Sequence, residues 1–292
     1  MGCRMSYDPT GRVIVLTGAA GGIGSTLARA LADRGASLVL VDLDHARVDA
    51  LRDDLGGGHL SYACDLTQRG QVEQLLTYID QHHGRIDVLI NNAGMTSTAR
   101  FDTRSVESIE QELQVNLIAP LILSRLAIDL LRRSDDPRLL STVSLGGIFP
   151  LGETPIYTAS KFGLRGAMLS IAMDLKAKGI KVGSILPSAT DTPMLQDEAI
   201  EGGNSLQFLD PPQSPEDVAQ TYLRMLDSPR MERYPRLSES WLVRVVMLAP
   251  DLIPKLLPLF RGRGDRGMRR YLENLQARGI AMPTPSGWRR VQ

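Results

Sequence analysis

Tyr157 and Lys161 stand four residues apart in the string YTASK, inside a stretch that reads as helix. That spacing puts both side chains on one helical face, where an ammonium can lie beside a phenol and favour its ionised form. An unperturbed tyrosine titrates at about 10, and an adjacent cation in a partly desolvated cleft would bring it toward the range where proton transfer is efficient. Taken alone, the pair fits equally a half-buried tyrosine and a solvated lysine that meet on a helix by accident. A proton-transferring tyrosine needs a reaction partner held against it, and the amino-terminal part of the chain has the form of a holder.

There, a short β-branched run from Arg12 to Leu16 enters TGAAGGIG at Thr17 to Gly24 and continues as TLARALADRG with helical periodicity. Strand, glycine turn and helix follow in the order a dinucleotide site requires. Gly18 permits the tight turn, Gly22 lets backbone amides approach a pyrophosphate, and Gly24 allows close packing of the helix. Amides at the helix start, around Gly22 and Ile23, would bind the phosphates with help from the helix dipole. A second strand, SLVLVD, ends at Asp42, 18 residues beyond Gly24, where a carboxylate can accept from the adenosine ribose hydroxyls. A 2′-phosphate would meet a like charge there, and neither Gly21 nor Leu43 offers a compensating cation, so NAD is favoured over NADP. The alternative is a solvated strand-end aspartate opening a turn with Leu43, Asp44 and His45.

With these motifs in place the chain resembles the short-chain dehydrogenase/reductase superfamily, in its compact single-domain branch, from about Gly11 to Leu237. The other strings that carry the resemblance are CDL at Cys64 to Leu66, NNAG at Asn91 to Gly94, QVNL around Asn116, STVS ending at Ser144, and LPSATDTPM from Leu186 to Met194. The resemblance implies that Asp65 and Leu66 hold the adenine ring, although the same residues can cap the helix beginning at Thr67. It implies cofactor contacts at Asn92 and Gly94, where ordinary turn chemistry is the other reading, and at Pro187, Thr190 and Thr192. Asn116, a helix-unfriendly residue inside the helical stretch from Val106 to Leu131, would kink that helix and bind a water linking Lys161 to solvent. Ser144, 13 residues before Tyr157, would hold the substrate oxygen, with Ser141 and Thr142 structural.

The activity implied is oxidation of an alcohol, or reduction of its ketone. Tyr157, ionised with help from Lys161, moves the hydroxyl proton while hydride passes to or from the nicotinamide, and Lys161 also binds the nicotinamide ribose. Two rivals share the fold: a catalytically silent NAD-binding regulatory protein, which would be expected to lose the tyrosine or the lysine, and an NADP-dependent carbonyl reductase. Where the family usually has Pro-Gly this chain has Pro187-Ser188, which puts the local nicotinamide contact in question. Family membership also implies dimers or tetramers built through the helices holding Asn116 and Tyr157.

With 292 residues, 43% of them hydrophobic, the chain can bury a full core. Alternating strands and helices predict an α/β fold, a doubly wound, Rossmann-like parallel sheet in one catalytic domain over residues 1–237, with the cofactor at the carboxyl ends of the strands. Two cysteines, Cys3 and Cys64, cannot build a disulfide framework and suit a reducing, cytoplasmic compartment. The four histidines lack metal-ligand spacing, so no metal is expected. No secretory signal is expected either, and MGCRMS at the start matches a myristoylation pattern only by coincidence.

Residues 238–292 are read as a helical extension, apolar in SWLVRVVMLAPDLIPKLLPLF and then basic. Between Arg261 and Gln292 eight arginines face only Asp265 and Glu273, a charge of plus six, in a chain of zero net charge. Such asymmetry predicts a surface or a partner. Pro250, Pro254 and Pro258 are expected to divide the apolar part into short helices, too interrupted to span a membrane. Three roles stay open for it: a lid over the substrate cleft, a subunit contact, or a peripheral membrane contact with arginines at the head groups. Nucleic acid is excluded as a partner by the neutral net charge and the lack of aromatics interleaved with the arginines beyond Tyr271 and Trp288. Together with Met95, Leu145, Phe149, Met194 and a loop from Leu195 to Pro212, the tail implies an apolar site and a small lipophilic substrate.

Overall fold

The computed structural model describes residues 7–150 and 152–291, without the side chains of 238–242. Cys3 and the MGCRMS string lie outside the described residues. The elements run β1 (Val13–Thr17), α1 (Gly22–Ala32), β2 (Ser37–Asp42), α2 (His45–Leu55), β3 (Leu60–Ala63), α3 (Arg69–His83), β4 (Val88–Asn91), α4 (Val106–Leu113), α5 (Ala119–Leu126), α6 (Ile128–Leu131) and β5 (Arg138–Thr142). They continue as α7 (Pro155–Leu175), β6 (Lys181–Ile185), α8 (Pro193–Ile200), α9 (Pro215–Asp227), β7 (Glu232–Arg233), α10 (Leu237–Val246), α11 (Ile253–Ala277), β8 (Ala281–Thr284) and β9 (Gly287–Arg290).

β1 to β7 form one parallel sheet in the order β3-β2-β1-β4-β5-β6-β7. Period-two side-chain alternation sorts its residues between two cores. Val13, Val15, Val39 and Val41 face α3, α5 and α7, where Leu75, Leu123, Leu164 and Met168 cover them. Ile14, Leu16, Leu38 and Leu40 face α1, α2 and α9, against Leu27, Leu31, Val48 and Tyr222. Both faces are therefore dry, which is why the strands read as unbroken apolar runs. The order of strands reverses between β1 and β4, so the loops after these two strands splay apart and leave a crevice at their carboxyl ends.

The tail departs from its expected form. Pro254 sits in the first turn of α11, where its missing N–H would have had no helical partner, and Pro258 removes one interior bond without ending the helix. Pro250 does lie in a 3-10 turn that separates α10 from α11, whereas across Pro254 and Pro258 one helix of 25 residues stands in place of short pieces. It is followed by an antiparallel hairpin, β8–β9, which the helical reading of this segment did not foresee. No helix among the described residues is long and apolar enough to cross a membrane.

Two glycines dock α11 on the body. A Cβ at Gly264 would lie 2.6 Å from the Ser205 carbonyl oxygen, and one at Gly267 would collide with that of Phe208. A third apolar cluster seals this contact, with Tyr271, Leu272 and Leu275 packed on Leu195, Ala199 and Phe208. The arginine charge meets acidic partners on the body: Arg261 with Glu153, Arg263 with Asp210, Arg278 with Asp191 and Arg290 with Asp197. Half of the eight arginines between Arg261 and Gln292 are thus answered within the chain.

Candidate active site

Tyr157 and Lys161 lie in the first two turns of α7, started by Pro155 in a position that suits its missing N–H. The Lys161 ammonium is 5.6 Å from the centre of the Tyr157 ring and donates to the Thr142 carbonyl oxygen at 3.2 Å. Lys161 is only 4% exposed, and burial pushes it down to about 8 against the pull of the Glu112 carboxylate. Tyr157 keeps part of its surface open to a cavity, yet the surrounding protein pushes its phenol up to about 12, with the neighbouring Ser144 hydroxyl opposing. Burial thus works against ionisation of the phenol, opposite to the help expected from the ammonium.

Ser144 ends the segment after β5, where its hydroxyl accepts from the Gly146 amide at 3.0 Å. A Cβ at Gly146 would lie 3.2 Å from Cε1 of Tyr157 and 3.3 Å from Oγ of Ser144. Gly146 therefore keeps the tyrosine and serine close, a role that its sequence neighbourhood alone did not signal. Asn116 lies in a π-helical turn, Gln114–Ile118, between α4 and α5. Its amide donates to the Met95 carbonyl and accepts from the Met95 amide, each at 2.8 Å, fixing the loop after β4 against the helix. A Cβ on Gly94 in that loop would lie 3.3 Å from Oδ1 of Asn116 and 3.6 Å from Nζ of Lys161, so these two side chains close on a bare backbone. Behind it, buried Glu112 pairs with Arg104 at 2.7 Å, a charge pair that the sequence reading passed over.

At the other end of the crevice α1 begins at Gly21 with no side-chain cap, which leaves its first amides free for an anion. Gly18 adopts φ +62° and lies so near Ala93 that a Cβ would sit 2.8 Å from its Cα. Gly22 makes room for Thr192, whose methyl would be 2.8 Å from a Cβ there, and Gly24 packs on the Gly18 carbonyl. Asp42 at the end of β2 accepts from the amides of Ala20 and Leu43, and Arg47 donates to the Ala20 carbonyl at 2.6 Å. That arginine is the nearby cation the sequence reading did not weigh. These features fit a dinucleotide: free helix amides, a glycine cradle and a carboxylate with lone pairs to spare.

Four predicted contact residues are engaged with the protein itself. Asp65 caps the Thr67 turn through its amide and hydroxyl, while Leu66 packs on the core. The Asn92 amide brackets the carbonyls of Thr17 and Gly18 and accepts from Thr142. Thr190 bonds to Ser188 and Gln213. Ser188 presents its carbonyl inward to Thr190 and Gln213, and no non-glycine residue among those described has positive φ, so serine is accommodated without strain.

One cavity of about 660 Å³ joins these parts. Ile23, Pro187, Thr190 and Thr192 line its end beside the start of α1, and Ser144 and Tyr157 its centre. Leu145, Phe149, Met194, Leu206 and Leu209 form apolar walls, completed by Val243 and Val246 of α10 and by Ile253, Leu256, Leu257 and Phe260 of α11. Thr96 lines it where Met95 was expected, and the expected loop from Leu195 begins as α8 because Thr192 caps that helix and Pro193 starts it. Lys161, Asn116, Gly94, Asp42, Leu43, Asp65, Leu66 and Asn92 lie outside the cavity wall.

Residues 12–201 match the family described as short chain dehydrogenase. A mouse protein named 15-hydroxyprostaglandin dehydrogenase [NAD(+)] is 32% identical over 196 residues, which cover 64% of this chain and 70% of that one. The 3-oxoacyl-[acyl-carrier-protein] reductase of Thermotoga maritima is 30% identical over 73% of this chain and 89% of its own length. Among solved structures, the 3-ketoacyl-(acyl-carrier-protein) reductase of Brucella melitensis complexed with NADH superposes with a TM-score of 0.68 at 23% identity, over 77% of this chain and 98% of that one.

Proposed function

The chain belongs to the short-chain dehydrogenase family of oxidoreductases, and from that premise we propose that it interconverts a lipophilic secondary alcohol and its ketone with NAD as hydride carrier. One observation carries this reading: the phenol of Tyr157 and the hydroxyl of Ser144 open into the same cavity as the apolar residues of α10 and α11. Sugars and small hydroxy acids would leave those walls unsatisfied, whereas an alkyl or ring substituent would fill them.

The dinucleotide supplies the hydride acceptor or donor when bound. Free amides at the start of α1 hold its phosphates, Asp42 accepts from a ribose hydroxyl, and Lys161 holds the second ribose. Ser144 donates to the substrate oxygen and fixes it beside the tyrosine. In the reduction direction the protonated phenol gives its proton to that oxygen; in oxidation the phenolate takes it back, helped by the ammonium of Lys161. The Asn116 turn keeps Gly94 and Lys161 in place beneath the reacting atoms. NAD is preferred over NADP because Asp42 would repel a 2′-phosphate. The mouse relative named for NAD(+) and the fold relative holding NADH accord with that choice.

α10 and the start of α11 act as the lid that excludes water from the substrate. On and just after α10, Val245 is 55% and Leu248 84% exposed, and Lys255 and Arg266 of α11 are exposed with no ion pair among the described residues, which favours contact with an anionic lipid surface from which a lipophilic substrate would be drawn. Val106, Ile118 and Met173 are apolar and exposed on and around the adjoining helices α4 and α7, and support self-association there. Steady-state oxidation of a panel of apolar secondary alcohols with NAD and with NADP tests the reading. Turnover should rise with chain length and favour NAD, and a chain that binds NAD but oxidises none of the panel would instead be a silent nucleotide-binding protein.

A further inference from the structure

Glu198 is the exception among the apolar walls. It lies in α8, is 7% exposed, and lines the same cavity as Tyr157 and Ser144. Gln207 donates to its Oε1, and no basic side chain among the described residues pairs with it. The other acidic residue in the lining, Asp210, is paired with Arg263 and half exposed. Around Glu198 the charges are of its own sign: burial, together with the carboxylates of Glu153, Glu201 and Glu112, raises it to about 7, against the Gln207 hydrogen bond. A buried carboxyl with one oxygen unclaimed costs stability unless something pairs with it. A lone carboxyl kept in the lining of a ligand cavity is accounted for by a ligand that answers it.

We propose that Glu198 recognises a hydrogen-bond donor, a hydroxyl or an amine, that the substrate carries at a distance from its reacting carbinol. The proposal rests on the dehydrogenase reading and narrows it from lipophilic alcohols to bifunctional ones. The donor end binds at Glu198 while the carbinol lies at Ser144 and Tyr157, and the hydrocarbon between them fills the walls of α10 and α11. Because the charge of Glu198 also opposes ionisation of Tyr157, pairing it with a donor eases formation of the phenolate in the same event.

The test uses the full chain and secondary alkanols from butanol to decanol whose far end carries a methyl, a hydroxyl or an amine. Hydrogen bonds to a charged group predict that at some chain length a donor-bearing member exceeds its plain partner by at least about tenfold in kcat/KM. In Glu198→Leu that ratio should collapse toward one for both donors. In Glu198→Gln it should collapse for the amine and partly survive for the hydroxyl, which separates the two sources of the donor. Circular dichroism and NAD binding show whether each variant is folded. Calorimetric binding of the same series reads the preference without turnover. A chain that binds donor-bearing members more tightly but oxidises none would overturn the dehydrogenase reading and keep this one. Equal treatment of donor-bearing and plain alcohols at every length, or a ratio unchanged in Glu198→Leu, would overturn the role of Glu198.

Discussion

Gly267 presses its backbone against the carbonyl oxygen of Phe208, leaving no space for a side chain where α11 crosses the turn below α8. The cavity depends on this contact, because α11 contributes Ile253, Leu256, Leu257 and Phe260 to its wall. Gly267→Val must push the helix outward, at a cost of about 1–3 kcal/mol by the usual scale of overpacking. Thermal unfolding should fall by several degrees, and KM should rise more for long apolar alcohols than for short ones. Equal KM changes across chain lengths would show that α11 does not wall the substrate.

Tyr157→Phe removes the proton carrier without changing the shape of the ring. Turnover should drop by at least about a hundredfold, the scale for one general acid-base group, while NADH binding measured by fluorescence persists. Near-normal turnover would take the proton transfer away from this residue.

Lys161 gives a prediction about stability as well as rate. Its folded value of about 8 lies below its ordinary 10.5, so the unfolded chain holds the proton more tightly between those limits. Stability should therefore rise with pH from about 8 to about 10.5, and the full cost of burying the ammonium, about 3 kcal/mol as an upper bound, should apply at neutral pH. Lys161→Met is expected to melt at a higher temperature than the parent at pH 7, to lose that advantage near pH 11, and to bind NADH poorly throughout. A lower melting temperature at pH 7 would mean that the bond to Thr142 outweighs desolvation.

Much of this site was legible because it is local. The glycine turn, the Asp42 strand end and the YTASK helix each place their residues through backbone periodicity within a dozen positions, and Asn116 announced a disturbed helix by being polar inside an apolar pattern. Long-range effects were not legible. The partners of Arg263, Arg278 and Arg290 lie 53, 87 and 93 residues away, so their charge looked unanswered until the tail folded back. Pro254 and Pro258 read as breaks because the sequence does not say which helical turn a proline will occupy. Burial is likewise a tertiary property, and it opposes ionisation of Tyr157 and isolates Glu198, neither of which spacing could reveal.

Cofactor choice turns on two residues of opposite charge. Asp42 braces the glycine turn through the Ala20 amide, and Arg47 reaches the Ala20 carbonyl from the other side. Asp42→Ser would remove the like charge and leave Arg47 free to meet a 2′-phosphate. The NADP-to-NAD ratio of kcat/KM should increase by at least about tenfold, on the energy scale of one charge-assisted hydrogen bond. Adding Arg47→Ala should cancel most of that gain, and a gain that survives it would mean that removing the carboxylate suffices without Arg47.

The exposed side of the lid gives a separate measurement. Val245 and Leu248 are exposed, and α11 carries the exposed bases Lys255 and Arg266, an arrangement that costs little in solution and gains on contact with acyl chains and anionic head groups. The chain should sediment with phosphatidylserine vesicles, less with phosphatidylcholine, and binding should weaken as salt screens the arginines. Val245→Asp with Leu248→Asp should abolish sedimentation. Because neither side chain lines the cavity, turnover of a water-soluble short alcohol should persist in that variant while turnover of a vesicle-borne long alcohol falls. If vesicles of neither composition retain the parent chain, the apolar outer face serves another contact, and light scattering on the same double variant shows whether that contact is a second copy.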